Sequence, residues 1–171
     1  MHLTSTLPPL MSFESDTIKF LESHHLFHGI PSKDLAIIFP FLNTENFEPG
    51  DRITEEATPG DAIYLITEGS VAVTKRKPDG SGSAFLEALK KGATFGEMGL
   101  LEGSERSASV TAVEKTETLV LTDRAFRKIF AFRPETYRMI MVNLACDLSR
   151  RLRAANARIS ELAPVSGQGE D

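Results

Sequence analysis

F-G-E-M-G-L-L-E-G-S-E-R-S-A-S-V-T-A, residues Phe95 to Ala112, is the stretch on which the reading of this chain turns. A glycine stands beside a carboxylate, a short apolar turn follows, and Arg106 arrives nine positions after Glu97 with a hydroxyl and small residues behind it. Gly96 lets backbone come close to a ligand, and the run from Gly99 to Glu102 can form one helical turn whose free amides face a negative charge. Arg106 is a permanent, fork-shaped cation suited to phosphate, and Ser107 adds a hydroxyl donor. Glu97 is expected to accept from a sugar hydroxyl rather than face the phosphate. The composition is that of an anion cradle with one hydroxyl-binding acid, so a sugar and a phosphate are expected side by side.

Phe95-Gly96-Glu97-x-Gly99-Leu100, five intervening residues, then Arg106-Ser107-Ala108-x-Val110-x-Ala112 resembles the phosphate-binding cassette of cyclic-nucleotide-binding domains. Asn46 to Gly69, with its Pro59-Gly60-Asp61 turn and its I-Y-L-I run, resembles the family's first barrel strands. Ala57 departs from the usual glycine, Thr54 from a small aliphatic residue, and Glu105 stands where many eukaryotic members carry proline. The likeness runs over residues 17 to 162. It implies that Arg106 and Ser107 hold a cyclic phosphate, that Glu97 takes the ribose 2'-hydroxyl, and that Phe95, Gly96, Met98, Gly99 and Ala108 complete the cradle.

A formal charge of -5 and a pI near 5.4 argue against nucleic acid or an acidic membrane as the main partner, since both demand a basic face. Hydrophobic residues make up 41% of the chain, enough for an ordinary core in one domain. Cys146 is the only cysteine, which suits a reducing, cytoplasmic setting, and its apolar helical surroundings predict burial. The first residues, M-H-L-T-S-T-L-P-P-L-M, have neither a basic start nor an apolar run of signal or membrane length. Residues 1–11 are expected to be a flexible arm, with Ser12 or Ser15 capping the first helix.

Phe13 to Phe27 mixes apolar and polar residues at helical spacing, and Ser32 is placed to cap a second helix, Lys33 to Phe39. His24 and His28 lie one turn apart, yet no third ligand accompanies them, so a solvated helix face is expected and no metal site. From Asn46 to Thr122 short β-rich runs alternate with turn residues: Arg52-Ile53, Ile63 to Thr67, Ser70 to Lys75, Ala84 to Leu89, Ser109 to Val113 and Glu117 to Thr122. Such a series predicts a closed antiparallel sandwich or barrel. The expected fold class is therefore α+β: an antiparallel β-roll, a jelly-roll-like barrel, with N-terminal helices and a long C-terminal helix. The expected domain is 12–162, divided into N-terminal helices at 12–44, a β-roll at 45–122 that carries the cassette 95–112, and C-terminal helices at 123–162.

Asp123 is placed to cap a helix from Arg124 to Phe132, and Pro134 suits the first turn of another that runs to Leu162. Its apolar residues, Tyr137, Met141, Leu144, Leu148, Leu152, Ala155, Ile159 and Leu162, make nearly a heptad stripe with one slip. A small barrel cannot cover so long a helix, so the half from Arg150 to Leu162 is expected to pair with a second copy in a homodimer, the alternative being that it folds back on its own domain. The D-L-S-R-R-L-R-A-A-N run resembles the dimer helix of the catabolite-activator branch, which implies base-contacting positions at Ala155 and Asn156. Asn156 reads equally well as an exposed polar residue or a helix-to-helix hydrogen bond in the dimer.

That branch continues into a winged helix-turn-helix. Here Ala163 to Asp171 is a Pro-broken polar tail, expected to be disordered, and the chain reads as a stand-alone receptor or a piece cut from a longer protein. The expectation is a ligand-binding module and not an enzyme. It uses no cofactor, binds cAMP in preference to cGMP, and passes its signal to a downstream protein that the sequence does not name, by closing its last helix over the base. A degenerate relative that keeps the fold for dimerisation alone is the alternative. A cupin-like metalloenzyme fits poorly, because His2, His24, His25 and His28 all precede the barrel.

Overall fold

The computed structural model describes the backbone of residues 9–162 and the side chains of residues 16–161. Helix α1 (Pro9–Ser23), a 3-10 turn (His25–Phe27), α2 (Ser32–Ile38) and a second 3-10 turn (Phe39–Phe41) lead into the strands β1 (Asn43–Phe47), β2 (Arg52–Thr54), β3 (Ala62–Glu68), β4 (Ser70–Arg76), β5 (Ser83–Lys90) and β6 (Thr94–Phe95). Helix α3 (Glu97–Glu102), strands β7 (Ser109–Ala112) and β8 (Thr116–Thr122), and helices α4 (Asp123–Phe132) and α5 (Pro134–Leu162) follow.

The strands form two antiparallel four-stranded sheets, ordered β1-β8-β3-β6 and β2-β7-β4-β5. This is the expected β-roll, but the barrel is not closed. Gly69 and the Lys91-Gly92 turn carry the chain from one sheet to the other, so no ladder joins the two sheets among the described residues. Period-2 alternation places β3 between two cores. Ile63 and Leu65 pack with Leu21, Leu35, Phe126 and Ile140 from the helices, whereas Ile66 meets Val71, Val73, Phe95 and Val110 between the sheets. Each fully buried Leu or Ile contributes about 1.5–3 kcal/mol.

Several local expectations are corrected. The expected arm, residues 1–11, lies mostly outside the described residues, and so does the tail 163–171. Helix α1 already begins at Pro9 and ends at Ser23, the rest of its expected span being the 3-10 turn. The side chains of Ser12 and Ser15 also lie outside. Pro31, not Ser32, precedes α2 and gives it no side-chain cap. Helix α4 is capped by Thr122, whose hydroxyl accepts from the Ala125 N–H, and not by Asp123. Strands β1 and β6 were not expected as separate elements.

The histidines do not form a solvated face. His24 is buried, its Nδ1 accepts the Leu26 N–H at 3.2 Å, and it stacks on His25. Burial, with His25 alongside, lowers its pKa to about 4. His28 is exposed, and no cluster of three or more metal-ligating side chains occurs among the described residues. Cys146 is exposed rather than buried, because the α5 face that packs on the domain is carried by Ile140 and Leu144. Asn143 ties α5 to the 3-10 turn: its Nδ2 donates to the carbonyls of Leu26 (3.0 Å) and His28 (2.9 Å).

Candidate functional site

Strand β6 delivers Phe95 into the roll, where it is buried and stacks on Tyr64 at 4.9 Å with the rings nearly parallel. The backbone then turns at Gly96, whose φ is +85°. A Cβ there would come within 2.7 Å of Arg106 Nη1 and 2.8 Å of the Ala62 carbonyl, so only glycine fits. Helix α3 starts at Glu97, two residues before the expected turn. Gly99 packs backbone to backbone on Gly60, where a Cβ would meet the Gly99 Cα at 2.7 Å, and this fixes the Pro59-Gly60-Asp61 turn against the cassette.

Arg106 is buried at 6% exposure without a facing carboxylate at hydrogen-bond distance. Its Nη1 donates to the carbonyls of Ala62 (2.7 Å) and Gly96 (2.8 Å), Asp61 lies 3.6 Å from Nη2, and the guanidinium sits over the Tyr64 ring. These contacts lock the fork in place with donors to spare. Glu97 is 3% exposed. It does not pair with Arg106. Its Oε1 accepts from Arg151 Nη1 at 2.8 Å, and its Oε2 is enclosed with no protein partner. Burial pushes the Glu97 carboxyl above its ordinary pKa, Arg151 pulls it back, and Asp147 and Glu87 push it up again.

Phe95, Gly96, Glu97, Met98, Gly99, Arg106, Ser107 and Ala108 line one cavity of about 70 Å3. Ser107 is exposed, with its hydroxyl 3.7 Å from the Met98 sulfur. A second, open cavity of about 540 Å3 adjoins it, walled by Leu86, Leu101, Leu148, Leu152 and Ala155. Glu97, Met98 and Arg151 line both. The structure brings Ala155 to the outer cavity but not Asn156, which is exposed on α5 and lines neither.

Arg151 is a residue of the candidate site that the sequence reading missed. It reaches from α5 to Glu97, to Glu87 on β5 (3.4 Å from Nη2) and to the Thr94 carbonyl (3.5 Å). One signal was available: Leu148, Arg151, Leu152 and Ala155 fall at helical spacing on one face, so an arginine stands within an apolar stripe.

Comparisons with known proteins agree with this geometry. Residues 44–131, more than half of the chain, match the family described as "Cyclic nucleotide-binding domain". The chain is 33% identical over 138 residues to the cyclic AMP receptor protein of Thermus thermophilus, a match that covers 81% of this chain and 62% of that protein. The crystal structure of the Thermus thermophilus catabolite activator protein superposes with a TM-score of 0.69 at 32% identity, covering 81% of this chain and 62% of the other. The fold is also that of a cyclic nucleotide-binding domain from Methylobacillus flagellatus, with a TM-score of 0.79 at 24% identity over 93% of this chain and 86% of that one. A cassette of this spacing, carried on this two-sheet roll between these helices, identifies the chain as a member of the cyclic nucleotide-binding domain family.

Proposed function

We propose that the chain is a receptor for a cyclic nucleotide, cAMP in preference to cGMP, and that it signals through α5. The observation that carries the reading is the pairing, in one cavity, of the locked Arg106 guanidinium with a buried Glu97 whose Oε2 has no protein partner. A buried carboxylate oxygen without a partner costs free energy, and a sugar hydroxyl repays it. The cyclic phosphate would lie against Arg106 and Ser107. The small cavity accommodates the phosphate, and the apolar walls of the larger one suit the face of a purine. The preference for cAMP rests on the likeness to the Thermus receptor, whose name states its ligand.

Closure of α5 over the base is the proposed signal, because Leu148, Arg151, Leu152 and Ala155 are α5 residues that line the base cavity. A ligand that touches α5 from inside that cavity favours the closed arrangement by its differential affinity. A second copy of the chain would cover the distal half of α5, where Leu152 and Ile159 are 62% and 64% exposed.

Titration calorimetry of nucleotide-free protein with cAMP and cGMP tests the reading, alongside Arg106→Lys. Lysine is the better substitution here, since alanine would leave the Ala62 and Gly96 carbonyls unpaired inside the fold. Saturable binding, tighter for cAMP and weakened roughly tenfold or more in the variant, is expected, with the variant's melting curve confirming that it folds. Wild-type protein that binds neither nucleotide overturns the receptor reading and leaves a dimerisation module.

A further inference from the structure

The contacts of Arg151 are unusual for an arginine facing a buried carboxylate. A guanidinium and a carboxylate ordinarily meet fork to fork, with two parallel N–H···O bonds. Here the pairing with Glu97 is single: Nη1 reaches Oε1 at 2.8 Å, while Nη2 is turned toward Glu87 Oε1 at 3.4 Å. Glu97 Oε2 is consequently the atom left without a partner. The three side chains come from α3, α5 and β5, and they meet where the two cavities join, since Glu97 and Arg151 line both and Glu87 lines the outer one.

We propose that Glu87 is a positioning residue that keeps the site open: by holding one arm of Arg151 it prevents the guanidinium from closing on both oxygens of Glu97, and so preserves Oε2 as the acceptor for the ligand's sugar hydroxyl. The inference rests on the receptor reading for its consequence, but the division of Arg151 between two carboxylates is a property of the protein alone. Without Glu87, the Arg151 fork would cap its own binding site. Glu87 also gives the guanidinium a second anchor besides Glu97 Oε1, so α5 need not detach from β5 as the nucleotide binds.

The sign of one substitution separates this role from simple electrostatics. Glu87 is a negative charge beside a site for an anion, so as a mere neighbour its neutralisation would tighten binding. The positioning role requires the opposite. Glu87→Gln is expected to weaken cAMP affinity roughly 3- to 10-fold, the equivalent of one lost hydrogen bond. In an Arg151→Gln background the same substitution is expected to leave affinity unchanged or improve it.

A ligand-free readout accompanies the calorimetry: the Glu97 carboxyl is followed by 13C NMR across pH in wild type, Glu87→Gln, Arg151→Gln and the double variant. Glu87→Gln is expected to lower the Glu97 titration, and to lower it more with Arg151 present than without it. Equal displacement in both backgrounds, or tighter nucleotide binding in Glu87→Gln alone, overturns the proposal. If wild type binds no nucleotide while the Glu97 titration still shows the coupling, the receptor reading fails and the partition of Arg151 stands.

Discussion

Ala57 has a φ of +66°, a left-handed backbone that an L side chain disfavours by about 1–2 kcal/mol. The family pattern usually places glycine there, and the geometry supplies the reason. The bend belongs to the cassette, because the Ala57 N–H donates to the Arg106 carbonyl and the Arg106 N–H donates to that of Thr58. Ala57→Gly is expected to stabilise the protein by about 0.5–1 kcal/mol after the entropy cost of glycine is subtracted. That corresponds to a rise in Tm of about 1–4 °C by scanning calorimetry, and an unchanged or lower Tm would contradict the strain. At this scale the cassette was legible because Phe95 to Ala108 form a local pattern, and every one of its candidate residues lines one cavity. Arg151 was not, because its partners Glu97 and Glu87 lie 54 and 64 positions away in sequence.

Among the elements, the 3-10 turn His25–Phe27 is capped by a buried histidine. His24 caps it as a neutral imidazole with a pKa of about 4 against an ordinary 6.5. A base whose folded pKa is depressed favours folding fully above the unfolded value, and that contribution is lost as the unfolded chain takes up its proton first. Stability is therefore expected to fall by about 3 kcal/mol between pH 6.5 and pH 4 from this group alone. His24→Asn, which can still accept the Leu26 N–H, should flatten that part of the pH profile in urea denaturation, and an unaltered slope would refute the assignment. The bounds of α5, Pro134 to Leu162, were readable from proline and apolar spacing. Strand β1 was hidden by its polar, exposed N-T-E-N-F sequence, and β6 by being two residues long. The cap of α4 was misplaced by one residue, since Thr122 and Asp123 are both good cap types and backbone geometry chooses between them.

On the scale of the whole molecule, the stripe along α5 divides between two surfaces. Its proximal members Tyr137, Met141 and Leu144 pack on the chain's own core. The exposed side of the helix carries Val142, Ala145, Ser149, Leu152, Asn156 and Ile159, alternating three and four apart. That alternation is the spacing a coiled-coil seam requires, and in such a seam Asn156 would stand where one polar residue selects register. If a second copy covers it, Leu152→Asp with Ile159→Asp should convert a dimer into a monomer in light scattering while the domain keeps its melting cooperativity. A wild type that is monomeric at all concentrations removes the dimer. Helical periodicity announced that α5 had an apolar face, but only the packed domain shows which turns of it are already covered.

Asn143 is one of the points that fix α5 to the rest of the domain. Its two hydrogen bonds to the 3-10 turn hold the tenth residue of a 29-residue helix, and nothing beyond Arg151 is anchored to the roll through a described hydrogen bond. If α5 closes on a bound nucleotide as proposed, it would act as a lever with its fulcrum near one third of its length. From Asn143 to Leu162 the arm measures about 28 Å at 1.5 Å per residue. A tilt of about 10° at that fulcrum would carry the tip by about 5 Å, nearly one helical turn, so under the proposed signalling a change of a single contact length at the site would become a displacement large enough for another protein to read.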